Sequence, residues 1–367
     1  MSAPGRAQAL NREARSAQDP APARLRVGVV GLGIGRKHIQ GWREHAGAEV
    51  VAIADPDAGR LEAVGAEFGI EARYPSAAAM LAAGPLDVVS VCTPNKFHLE
   101  VALAAFEAGA HVLCEKPIAL NADEGQAMVD AARRAGRRLM INFSYRFSAA
   151  SRGLKAQVDA GVFGDFYFGR SVWHRRRGLP GFGGWFGTKA LSGGGPLIDL
   201  GVHRLDLALW LMGHPKPAWV LGSTHDPIAR ALAEQSGKTF DVEDLAAALI
   251  RFDNGATLVL EASWAANIQE AEQIETRLLG TEAGLVQKNL NEGYEFDAHI
   301  FTERHGAALD IHLHPPAQPA PSGMHDFAQA ILSGEPHPAP GEDGLVVMQI
   351  LDAIYASAHS GEPVRIG

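Results

Sequence analysis

Two cysteines, Cys92 and Cys114, in a chain of 367 residues argue against a fold held by a disulfide framework. Long hydrophobic runs are missing too: no stretch approaches the ~20 apolar residues of a membrane-spanning helix. The opening "MSAPGRAQALNREARSAQDPAPA" carries basic residues without the apolar core of a secretory signal. Positive charge is in deficit, with 33 Lys and Arg against 42 Asp and Glu, a net charge of -9. That balance argues against nucleic acid or an anionic membrane surface as the main partner. Together these absences describe a soluble chain of a reducing compartment, the cytoplasm, with both thiols buried and free.

What is present is globular: 47% of residues are hydrophobic and 20% charged, and the length suits two domains. Residues 1–24, rich in Ala, Pro and polar side chains, read as a flexible tail that the fold does not need. From Leu25, short β-rich runs such as "LRVGVVGLG", "AEVVAIAD" and "LDVVSVCTP" alternate with helical ones. Strands that are apolar nearly throughout imply a parallel sheet covered on both faces. Residues 25–145 are therefore expected to form a doubly wound Rossmann domain. Over 146–367 the rhythm changes to longer strand-like runs with hairpin signals, such as Asp253-Asn254-Gly255. This second domain is expected to be α+β, a large, mostly antiparallel, open-faced sheet with helices on one side. The uncovered face of such a sheet implies a homodimer or homotetramer.

The turn after the first strand, "VGLGIGRKH", sets Gly31, Gly33, Ile34 and Gly35 ahead of a helix. A tight turn, close backbone approach and an exposed helix N-terminus are what a pyrophosphate requires. The spacing departs from G-x-G-x-x-G, with Arg36 where the third glycine would fall. Asp55 ends the next strand, where a carboxylate accepts from ribose hydroxyls and repels a 2′-phosphate. NAD is the expected cofactor, and Arg36 and Arg60 keep NADP open.

Two further stretches carry chemistry. "CEKPIAL" puts Lys116 at the carboxyl edge of a buried strand, where open α/β sheets bind ligands. "SGGGPLIDLGVHRLD", residues 192–206, sets three glycines before an apolar helix that bears Asp199 and His203 four apart, on one face. Glycines in that number imply that cofactor or substrate approaches the backbone. An imidazole that titrates near neutrality suits a general base, and a carboxylate beside it orients the ring. A lysine stabilises an alkoxide-like oxygen as charge develops.

With "TPNKFHLEVALAAFEAGAHVLCEKPIAL" and the pattern GGG-x-x-x-D-x-G-x-H-x-x-D at 193–206, the chain resembles the Gfo/Idh/MocA oxidoreductases. This is the family of glucose-fructose oxidoreductase and inositol dehydrogenase, and the resemblance runs from Leu25 to Ile366. It implies that Lys116, Asp199 and His203 meet over the nicotinamide as the catalytic trio. It also implies that Thr93, Pro94 and Asn95 flank the nicotinamide ribose, with Glu115 on the same edge. His98, which opens the next helix, is either a cofactor neighbour or a cap.

Candidate substrate contacts beyond the trio are Tyr145 and Arg146 in "INFSYRF", and Trp185 and Lys189 in the aromatic, basic stretch 172–189. Interdomain packing and a structural loop are the respective alternatives. His312 and His314 share a strand face, but no third ligand of suitable spacing follows, so no metal is expected. The reading is an NAD-dependent dehydrogenase acting on a secondary hydroxyl of a sugar or cyclic polyol. Its alternatives are an NAD-retaining glycoside hydrolase or lyase that works by transient oxidation, and a non-catalytic dinucleotide-binding regulator.

Overall fold

Apolar strands and amphipathic helices alternate through the first third of the chain, and the computed structural model shows what they build. It describes residues 24–314 and 320–367. The tail expected over 1–24 lies, Arg24 apart, outside the described residues. The first sheet is formed by β1 (Leu25–Val30), β2 (Ala48–Ala54), β3 (Arg73–Tyr74), β4 (Val88–Val91), β5 (His111–Cys114) and β6 (Leu139–Ile141). All pairs are parallel, in the order β3-β2-β1-β4-β5-β6. Between these strands run α1 (Gly35–Trp42), α2 (Ala58–Phe68), α3 (Ala77–Ala83), α4 (His98–Glu107) and α5 (Ala122–Ala135). The strand order reverses between β1 and β4, and a crevice opens there at the carboxyl ends, where this topology binds ligands.

The chain then passes through α6 (Ala149–Asp159), β7 (Phe166–Arg175), the single turn α7 (Lys189–Ser192), a π-helical turn Leu197–Gly201 and α8 (Val202–Leu211). Next come β8 (Pro217–His225), α9 (Pro227–Ser236), β9 (Leu245–Phe252), β10 (Thr257–Ser263), β11 (Glu272–Gly280), β12 (Ala283–Asn289), β13 (Phe296–Arg304) and β14 (Ala307–His312). The chain ends with α10 (Gly323–Ser333), α11 (Gly341–Ser360) and β15 (Val364–Arg365). The second sheet is nine-stranded, in the order β14-β13-β12-β11-β7-β10-β9-β8-β15. Every pair is antiparallel except β7 with β10. The β9–β10 hairpin turns at Asp253–Gly255, with Gly255 at a φ of +86° that favours glycine. Residues along β9 alternate strictly between buried and half-buried, so one face packs on helices and the other stays open.

The halves are cross-braced. Ile141 donates its backbone N–H to Ala339, so the segment before α11 lies against β6. Arg146 is 1% exposed. Its guanidinium grips Asp206 of α8 at 3.0 and 3.1 Å from Nε, Asp343 of α11 at 2.8 Å, and the Pro338 carbonyl at 2.7 Å. Removing one side of such a buried pair strands the other charge, at a cost of about 3–5 kcal/mol. We expect Arg146→Leu to lower unfolding stability by that amount in denaturant titrations. A loss under about 1 kcal/mol would show that the brace is dispensable.

Candidate active site

A cavity of about 1290 Å³ opens at the carboxyl ends of β1, β4 and β5 and reaches the π-helical turn and α8. Gly31 forms its floor at φ +87°, and a Cβ there would meet the Cys92 carbonyl oxygen at 2.5 Å, so only glycine serves. Gly33 faces open space, with no atom within 4 Å of where a Cβ would stand. Ile34 lines the rim. Gly35 instead serves packing: a side chain there would press on Val29 at 3.1 Å. Asp55 accepts from Leu32 N–H at 2.8 Å, Asp57 N–H at 2.9 Å and Arg60 at 3.2 Å. A carboxylate offers about four acceptor positions. Arg60 also reaches Oδ1, at 3.4 Å, so protein donors meet all four, two of them through a half-exposed arginine, and the open, glycine-floored cradle fits a dinucleotide.

Thr93, Pro94 and Asn95 line the same cavity beyond β4. Asn95 Nδ2 donates to the Ser192 carbonyl at 2.8 Å, tying this turn to the triglycine segment. His98 is neither cap nor cavity wall. Its ring is buried, with Nδ1 on the Pro117 carbonyl at 2.9 Å and Nε2 on the Thr93 carbonyl at 3.0 Å, so it braces two cofactor-edge loops. Glu115 accepts from His38 Nε2 at 2.7 Å and Asn142 Nδ2 at 2.6 Å. Burial opposes its ionisation, but His38, Asn142 and Lys116 outweigh that and hold it down at about 2.

A second cluster on the cavity wall lies just past β5. Lys116 Nζ donates to the main-chain oxygen of Asp199 at 3.0 Å and to its Oδ1 at 2.9 Å. Trp264 Nε1 holds Oδ2 at 3.0 Å. Asp199 therefore belongs to the lysine and an indole, not to His203 as the four-residue spacing predicts. Residues 197–201 form a π turn, whose wider winding breaks the α-helical offset between the two. Despite burial, the lysine and indole bonds keep the Asp199 carboxyl below its ordinary range.

His203 also lines the cavity. Its Nδ1 is buried with no partner among the described residues, which leaves Nε2 as the nitrogen on the cavity side. The ring packs edge-on against Tyr145 at 4.9 Å and beside Trp173 at 5.9 Å. Burial first, then Lys116, Arg204 and Arg175, push its pKa well below the ordinary histidine value. These surroundings favour the neutral imidazole.

Arg204 is fully buried, and none of its three guanidinium nitrogens has a partner among the described residues. It sits 4.4 Å from the Tyr145 ring centroid, 5.5 Å from Phe296 and 5.7 Å from Trp173, an aromatic cage for a cation. Burial pushes its pKa down to about 10, which still leaves it charged. A cation placed next to the candidate base and left unneutralised favours the neutral imidazole.

Other expected contacts fall differently. Trp185 lines the cavity and stacks on Phe186 at 3.8 Å. Tyr145 lies behind His203 as packing. Arg146 is consumed by the Asp206 and Asp343 brace, and Lys189 sits over the Tyr355 ring at 5.8 Å. Neither is among the cavity-lining side chains. The triglycine also has another cause than the ligand approach expected. Gly193 has φ +86°, a Cβ on Gly194 would strike the Tyr355 hydroxyl at 1.9 Å, and one on Gly195 the Glu243 carbonyl oxygen at 2.1 Å. Glu243 also accepts from the N–H groups of Gly195 at 2.9 Å and Leu197 at 3.1 Å, so a protein carboxylate already caps that terminus. Trp264, Arg204, His38 and Glu243 are not among the residues that the sequence motifs single out. The available signal is charge within a mostly apolar helix, which α8 carries at both Arg204 and Asp206.

Residues 25–143 match the family described as "Oxidoreductase family, NAD-binding Rossmann fold", and residues 151–286 match the GFO/IDH/MocA C-terminal domain. The chain is 34% identical over 361 residues to a D-glucoside 3-dehydrogenase of Escherichia coli (strain K12), covering 96% of this chain and 100% of that protein. It is 29% identical to a D-apiose dehydrogenase of Paraburkholderia graminis, covering 94% and 90%. Levoglucosan dehydrogenase solved with NADH and levoglucosan superposes with a TM-score of 0.83 at 25% identity, covering 94% of this chain and 99% of that one. On these matches the chain belongs to the Gfo/Idh/MocA oxidoreductase family.

Proposed function

We propose that this chain oxidises a secondary hydroxyl of a sugar or cyclic polyol, a glucoside first among them, with NAD as cofactor. The observation that carries the reading is Lys116, ion-paired with Asp199, and His203, with no carboxylate partner among the described residues, on one cavity wall. NAD, held by Gly31, Gly33, Asp55 and the 93–95 turn, supplies the hydride acceptor when bound. An ammonium has three N–H donors, and Asp199 takes two of them. The third is available to the reacting hydroxyl, where it stabilises negative charge as the proton leaves. His203 Nε2 takes that proton, because a neutral imidazole in a dry site is a competent base. Trp264 and Lys116 fix Asp199, so the carboxylate orients the lysine rather than the imidazole. Trp185 offers an aromatic face against which a sugar ring stacks. The D-glucoside 3-dehydrogenase relative supports the substrate class, and the two buried free thiols support a reducing, cytoplasmic setting.

Incubated with NAD and alkyl or aryl glucosides, the protein is expected to form NADH in step with substrate consumed. Turnover without net NADH would favour the redox-assisted hydrolase or lyase. His203→Ala is expected to lose about 10²-fold or more in kcat with NAD affinity kept. Near-normal turnover would remove His203 from the role of base. The kcat/KM of the wild type is expected to fall only on an acid limb well below pH 6.5, as His203 takes up a proton. Arg204→Met removes a cation that disfavours imidazolium, so that limb moves to higher pH; an unmoved limb would contradict the assignment.

The open sheet face carries exposed Phe301, and burying that face supports a homodimer or homotetramer. Light scattering at micromolar concentration is expected to return a multiple of the chain mass, and a monomer mass would exclude that pairing.

A further inference from the structure

His312 and His314 share a strand face, and the sequence around them supplies no third donor. The antiparallel register of the last two strands supplies it. His299 of β13 pairs directly with His312 of β14, and Asp297 precedes His299 by two residues, on the same face of the sheet. The two imidazoles stack at 4.8 Å between centroids with 14° between their planes. Both Nε2 atoms converge on one carboxylate: His299 meets Asp297 Oδ2 at 2.7 Å, and His312 meets Oδ1. One donor atom from each of the three lies within 4.8 Å of the other two. The His314 ring stands 4.3 Å from that of His312, edge-on to it.

We propose that Asp297, His299 and His312 form a binding site for a divalent transition metal of the zinc class. Two imidazole nitrogens and a carboxylate oxygen are a recognised zinc donor set, at ligand distances of about 2.0–2.2 Å. Small rotations of two stacked rings about a shared carboxylate centre that set without moving the backbone. A site of hard oxygens alone would suit calcium or magnesium; two imidazoles select against both. The location gives the role. β14 is the outermost strand of the sheet, its residues are exposed, and its ladder is bonded on one side only. A metal bridging β13 and β14 pins that edge, and none of the three ligands lines the dinucleotide cavity. The site is structural and separate from the hydride chemistry.

The test is calorimetric titration of the full-length chain, without a polyhistidine tag, with zinc sulfate, beside a His299→Gln/His312→Gln variant. The wild type is expected to bind a single equivalent per chain with a dissociation constant at or below about 10 µM, and to melt at a higher temperature in its presence. The double variant is expected to bind about tenfold more weakly or worse, to lose the melting shift and to keep its dehydrogenase activity. No saturable binding to the wild type would leave only a hydrogen-bonded His–Asp–His ladder. Equal binding by the two proteins would put the metal elsewhere. Either result overturns the proposal.

Discussion

The contact between Lys116 and Asp199 is the joint on which the rest of the site depends. It links the end of a parallel strand to a turn that rests on the second sheet, two parts far apart in sequence. At 2.9 Å and an effective dielectric near 20, the attraction is on the order of 5 kcal/mol, and desolvating both ions offsets most of it. The contact is therefore worth more as a positioning device than as stability. It fixes the direction of the remaining lysine N–H, holds the carboxylate against Trp264, and leaves the imidazole free of any anionic partner.

That last consequence shapes the electrostatics. A histidine paired with a carboxylate has its pKa raised and its cation stabilised, as the four-residue spacing predicts. Here the surroundings of His203 are cationic and aromatic: Lys116, Arg175 and the caged Arg204 on one side, Tyr145 and Trp173 against the ring. Burial first, and then the positive charge around it, disfavour the imidazolium form of His203. An unpaired buried guanidinium costs stability. Such a cost at a site is the kind of local conflict that function explains.

Much of this was legible in the chain. Apolar runs of five to six residues followed by helices specify a parallel sheet through burial alone, and a positive-φ glycine at Gly31 follows from the turn the sheet demands. Lys116 was legible because its place at a strand end carries geometric meaning. What failed did so for identifiable reasons. Asp199 was assigned to His203 on α-helical periodicity, and a π turn broke the period. The triglycine reads as room for a ligand; Gly194 does line the cavity, and Tyr355 and Glu243, each from a distant segment, require glycine there as well. Trp264, and the meeting of Asp297 with His299 and His312, arise from strand register, which no local pattern encodes.

The central claim is that Lys116 and Asp199 act as one unit on the reacting oxygen. A double-mutant cycle in single-turnover NADH formation, at saturating NAD and glucoside, tests it with Lys116→Met, Asp199→Asn and the pair. Each single change is expected to slow the step by about 10²-fold, with the double variant no more than about threefold slower than the worse single one. Effects that multiply to about 10⁴-fold would show that the two residues work independently, and would contradict the account.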